Sequence, residues 1–249
     1  MRAPWIISPH NCQSLRWVCP QDLNFAGSYA LLPLHAGELA KAAASMPLAL
    51  VHQEDEWQLV GVCALAPGHN LFIQGGQWLG AYQPLWLSTY PFRLLQVGTQ
   101  AVLTCAPEAK APEGEGEPFF ADDDQPAPAV TKRLELLKSS HSLQQATVRA
   151  IKALVDMDLV TPWSDSLRQQ LGIQFTGLHR VDEHALSKLD DASFLQLRQA
   201  LPLAYALNFS IQQCHLLQRL ERINPFPDKA VADVDKLFGQ QDDTIRFNF

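Results

Sequence analysis

No stretch of this 249-residue chain approaches the roughly 20 consecutive apolar residues that a membrane-crossing helix needs. The opening MRAPWIISPHNCQSLRW has one early Arg, but Pro4, Ser8, Pro9 and His10 interrupt any apolar core of an export signal, so a cytoplasmic location is expected. The five cysteines, Cys12, Cys19, Cys63, Cys105 and Cys214, are odd in number, widely spread and without a CxxC pair. They make neither a disulfide framework nor a zinc knuckle, and a reducing compartment fits them. No GxSxG, Walker or dinucleotide fingerprint occurs. Basic residues nowhere form a stripe, and a phosphate backbone needs one to release its counterions, so nucleic acid is not an expected partner.

What charge there is lies unevenly. The net charge of −7 divides into −1 over residues 1–104, −6 over 105–130 and 0 over 131–249. Five of the six tryptophans, Trp5, Trp17, Trp57, Trp78 and Trp86, fall in the first 86 residues, where apolar and polar positions alternate with the period of strands. PLALVHQEDEWQLVGVCAL reads as a hairpin, with Leu48, Leu50 and His52 on one arm facing Trp57, Leu59 and Gly61 on the other. NLFIQGGQWLGAY repeats the pattern about Gly75-Gly76, a strong turn signal. HAGELAKAAASM ahead of them favours helix until Pro47 stops it, and QPLWLSTYPF is a short helix or turn. Residues 106–129 combine Pro, Gly and acid into a loop, yet Phe119-Phe120 within it is an apolar pair that a purely solvated linker has no need of.

From Val130 the period changes to 3.6. Leu134, Leu137, His141, Gln144, Val148, Ile151 and Val155 fall on one stripe of a long helix, GIQFTGLHRV reads as one returning strand, and short helices follow, the last around 228–238. The fold class expected is α+β: an N-terminal Trp-rich antiparallel sheet over 20–105, the acidic Pro/Gly loop, and a mainly helical half over 130–249.

One segment invites a chemical reading. GLHRVDEHALSKLDD, residues 177–191, holds His179, His184, Asp182, Glu183, Asp190 and Asp191. The spacing lacks the paired histidines of a zinc helix, and Asp182 and Asp190 stand where helix N-caps belong. ADDDQP lacks the alternating oxygens, the glycine and the distal glutamate of a calcium loop. No catalytic residue, metal ligand or cofactor site is therefore assigned. Polar His141 and Gln144 on an otherwise apolar stripe, with Trp57, Trp78, Trp86 and Tyr90 as walls, are the residues expected to line a small-ligand or peptide groove.

Four blocks, LPLHAGELAKAAASMPLALVHQEDEWQLVGVCALAPGHNLFI, WLGAYQPLWLSTYPFRLL, GEPFFADDDQPAPAV and GLHRVDEHALSKLDDASFLQLRQALPLAYALNFS, resemble the SapC family of bacterial proteins in the same order over roughly residues 20–225. That resemblance implies one family unit over 1–249. It also implies an association with surface-layer genes, outer-membrane receptors, cupin-like proteins and flavin-dependent halogenase-like proteins, and it supplies no catalytic residue. The function expected is a non-catalytic binding or accessory protein serving an outer-membrane uptake or surface-modification system. An oxidative or metal-dependent enzyme using the groove at the long helix, or a surface-layer component, are the alternatives.

Overall fold

The computed structural model describes residues 5–12, 15–53, 56–97, 100–112 and 114–225. The helix expected around 228–238 lies outside them. In chain order the first elements are β1 (Trp5–Ile6), α1 (Pro9–Cys12), β2 (Arg16–Trp17), β3 (Leu31–Pro33), α2 (Leu39–Ala43), β4 (Leu48–Gln53), β5 (Glu56–Val62), β6 (Ile73–Gln74), β7 (Gln77–Trp78) and α3 (Leu85–Thr89). Next come β8 (Phe92–Val97), β9 (Gln100–Cys105), β10 (Glu117–Pro118) and the long helix α4 (Pro128–Val155). The remainder is β11 (Val160–Pro162), α5 (Asp165–Leu171), β12 (His179–Val181), α6 (Glu183–Ser187), α7 (Asp191–Gln196), α8 (Leu201–Ser210) and α9 (Cys214–Ile223). The fold is α+β, as the change of hydrophobic period requires.

The chain divides into two compact units, each assembled from separated segments. Among the described residues the first takes segments within 5–22 and 85–142 and the second those within 23–84 and 143–225, so α4 contributes to both. In the first unit β1, β9 and β8 form a three-stranded antiparallel sheet, and β10 pairs with β2. Its core is aromatic. Trp17 meets Phe92 edge-on at 4.8 Å between ring centres, Phe119 closes the group, and all three are fully buried. Phe119 of the acidic segment is thus a core residue, which explains an apolar pair in so polar a stretch, while Ala121 to Gln125 stay exposed.

The second unit is built on a five-stranded antiparallel sheet of order β11-β12-β4-β5-β3. The expected hairpin forms in the expected register, with Leu48 opposite Gly61, Leu50 opposite Leu59 and His52 opposite Trp57. The second hairpin, β6-β7, turns at Gly75 and Gly76, whose φ of 56° and 76° only glycine adopts without strain. The helical half returns two short strands, and the one read over GIQFTGLHRV is confined to His179–Val181. On α4 the buried positions are Val130, Leu137, Thr147, Ile151 and Leu154, whereas Val148 is 44% exposed, so the stripe drawn through Val148 is displaced by one residue. The displacement follows from Thr147, whose hydroxyl serves the neighbouring backbone and turns that face inward.

Candidate functional site

Directly opposed residues of an antiparallel pair share a face of the sheet. Leu50, Leu59 and His179 therefore lie in one row across β4, β5 and β12, and His52 with Trp57 forms the next row toward the hairpin end. Leu50 and Leu59 are buried, Trp57 and His179 are half-buried, and His52 is exposed. The apolar face thus opens to solvent through an indole between two imidazoles. Trp57 lies 4.7 Å from the His52 ring at an interplanar angle of 36°, and 4.8 Å from the His179 ring, which meets it edge-on at 81°.

The His179 Nδ1–H donates to the Gly177 carbonyl at 3.0 Å, since a carbonyl can only accept, and this bond fixes the ring. Burial pushes the His179 imidazole below its ordinary value, against the pull of the Gly177 and Leu50 carbonyls, and His52 adds to the lowering. A neutral, anchored imidazole beside a half-exposed indole is a stacking and hydrogen-bonding surface.

A second cluster in the same unit escaped the sequence reading. Glu38 is 4% exposed; its Oε1 accepts from the Tyr82 hydroxyl at 2.7 Å, and its Oε2 accepts from the His35 N–H at 3.1 Å, with His35 Nε2 at 3.4 Å. Burial first, then the hydrogen bond to Glu38 and its charge, raise the Tyr82 phenol above its ordinary value. The adjoining turn docks on α4: Ala36 N–H donates to Thr147 Oγ1 at 2.7 Å, and Thr147 Oγ1–H donates to the Leu143 carbonyl at 2.7 Å. A Cβ on Gly37 would come within 2.7 Å of Leu143 Cδ1, so a larger residue there would have to displace the Leu143 side chain. The spacing His35-x-x-Glu38, that of a capping box, was the available signal.

The groove residues divide between the units. Trp57, Trp78 and Gln144 belong to the second, Trp86, Tyr90 and His141 to the first. Trp78 stacks on Phe72 at 4.8 Å and 12°, and its Nε1–H donates to the Tyr82 carbonyl at 2.8 Å. Trp86 and Tyr90 are brought together by Arg93, whose guanidinium lies 4.2 Å from the first ring centre and 5.8 Å from the second, and the Tyr90 hydroxyl donates to Glu108 at 2.7 Å. His141 and Gln144 are half-buried on α4.

The segment 177–191 resolves into caps. Asp182 accepts from the N–H groups of His184 and Ala185, Asp190 from that of Ser193, and these bonds hold both carboxyls below the usual range. Among the described residues no group of three or more His, Cys, Asp or Glu side chains is placed to hold a metal ion. Burial pushes the Cys214 thiol up to about 12 and raises that of Cys63 further. Neither supplies a thiolate near pH 7.

Fold and surface together define an α+β protein with an imidazole-flanked tryptophan at the open end of its larger sheet. The chain belongs to the SapC family, whose family model matches residues 7–217. No curated protein and no solved structure matches the chain. No helix among the described residues is long and apolar enough to cross a membrane.

Proposed function

We propose that this chain is a non-catalytic binding or accessory protein and that Trp57, between His52 and His179, is its contact surface. It works in the cytoplasm beside enzymes or substrates of an outer-membrane uptake or surface-modification system, and flavin-dependent halogenase-like and cupin-like proteins are the partners to try first. One observation carries the binding reading: a large indole is left half-exposed at the end of an otherwise buried row, beside an imidazole anchored by its own hydrogen bond. Aromatic side chains of this kind dominate the energetics of interfaces, because they bury much apolar area and lose little side-chain freedom.

The test is capture from the native host with the full chain and its Trp57→Ala and Trp57→Phe variants as bait, followed by titration of the captured partner. Trp57→Ala should weaken binding by about 2 kcal/mol, some thirtyfold, with the unfolding midpoint little changed, and Trp57→Phe should recover part of the loss. Equal affinity of the wild type and Trp57→Ala for every captured partner would remove this surface from the proposal.

A further inference from the structure

Helices α8 and α9 are joined by a single 3-10 turn, Ile211–Gln213, flanked by residues with right-handed helical angles, so Leu201 to Ile223 continues as one helical run whose length at the ideal rise is about 34 Å. Its inner side is buried through Leu203, Leu207, Ser210, Cys214, Leu217 and Leu220. The outer side is exposed at Pro202, Tyr205, Phe209, Gln212, His215, Arg219, Arg222 and Ile223. Tyr205 and Phe209 are 57% and 59% exposed, a large apolar area for a surface helix.

The seven from Pro202 to Arg222 are spaced 3, 4, 3, 3, 4 and 3 residues apart, the same read in either direction from Gln212. The 3-10 turn supplies the central pair of threes, because three residues complete a turn there. The chemistry is not symmetric about Gln212: the α8 half is aromatic and apolar, while the α9 half carries His215, Arg219 and Arg222 ahead of a terminal exposed Ile223. In an antiparallel pair of such helical runs crossing at Gln212, Tyr205 of one meets Arg219 of the other, Phe209 meets His215, and Pro202 meets Arg222. Every contact then sets a π-face or an apolar ring against a cationic or imidazole side chain, and each forms twice. A parallel pair would set guanidinium against guanidinium. The chain already uses the favourable contact internally, with Arg93 over Trp86 at 4.2 Å and Arg133 over Trp17 at 4.9 Å.

We propose that the occupant of this face is a second copy of the chain, paired antiparallel through α8 and α9 about a two-fold axis at Gln212. Self-complementary patches of this kind are what a two-fold dimer requires. The interface is independent of the Trp57 surface and stands or falls without it.

The experiment is sedimentation velocity and light scattering on the full chain across a micromolar range. The wild type should run at twice its monomer mass. Tyr205→Arg, which places like charges opposite Arg219, should raise the dimer dissociation constant at least tenfold with unchanged circular dichroism. It should lower the unfolding midpoint only as far as the lost dimer requires, wild type and variant converging on dilution. Adding Arg219→Glu to that variant should restore the dimer, because the new arginine then faces a carboxylate. Gln212→Cys should give an interchain disulfide under mild oxidation, and Arg198→Cys should not. A monomeric wild type overturns the proposal, as does a dimer indifferent to Tyr205→Arg or a charge pair that fails to rescue. A monomer that instead sediments with phosphatidylglycerol vesicles through Tyr205 and Phe209 also overturns it, in favour of a lipid surface.

Discussion

Replacing Thr147 by valine tests how the turn at His35 to Glu38 is held to the long helix. Valine has threonine's shape, but a methyl group takes the place of the hydroxyl that accepts from Ala36 N–H at 2.7 Å. Two costs follow. The amide loses its acceptor in a part-buried site, worth about 1–3 kcal/mol, and a methyl carbon cannot sit 2.7 Å from a nitrogen, so the turn must retreat by nearly 1 Å. Thr147 is fully buried, so the retreat also opens a gap in a packed contact. Together these put Thr147→Val at about 2–3 kcal/mol of destabilisation. Thr147→Ser is the control: it keeps the hydroxyl and removes one buried methyl, about 1 kcal/mol. Urea unfolding followed by far-ultraviolet circular dichroism measures both, and hydrogen exchange at the Ala36 amide gives a local readout, since that N–H should exchange faster in the valine variant alone. If valine proves as stable as serine, or the Ala36 amide keeps its protection, the hydroxyl is not what anchors the turn.

The Tyr82 phenol should ionise above its ordinary value in an ultraviolet titration, and Glu38→Gln should bring it down by removing the adjacent charge; an unmoved titration would contradict the Tyr82–Glu38 pairing. For the caps, Asp182→Ala and Asp190→Ala should each lower the thermal midpoint, and Asp→Asn should lower it less, since the amide oxygen still accepts. Both carboxyls are held below the usual carboxylate range, so their contribution is fully present above pH about 4 and is lost as pH falls through the depressed values. Wild type and the double alanine variant should therefore converge in stability in acid, and a gap that stays constant from pH 7 to pH 2 would count against charge-assisted capping.

Features that depend on neighbours a few residues apart were legible in the chain itself. Alternation places Leu48, Leu50 and His52 opposite Gly61, Leu59 and Trp57 because a short turn fixes the register of a hairpin, and Gly75-Gly76 names its own turn. Asp182 and Asp190 cap helices because the N–H groups they satisfy lie two and three residues on. Phe119-Phe120 betrayed a buried point in an acidic segment because a solvated loop gains nothing from two phenyl rings. His141 and Gln144 were less informative, since a helical stripe several residues wide admits a neighbouring phase, and Thr147 rather than Val148 faces inward.

Family membership and the α+β class were therefore settled by the order of residues alone, through short-range periodicity and recurring blocks. Tertiary structure decided which tryptophans meet solvent and what stands beside Trp57. His179 reaches Trp57 only because β12 pairs with β4, setting His179 opposite Leu50 across more than a hundred residues of chain. Ala36 finds Thr147 over a comparable separation of 111 residues, and the Tyr82 hydroxyl finds Glu38 over 44. Such contacts leave no local pattern, because forming them means closing long loops, an entropic cost that only a core already in place offsets. A sequence records the partners' identities but not the distance between them.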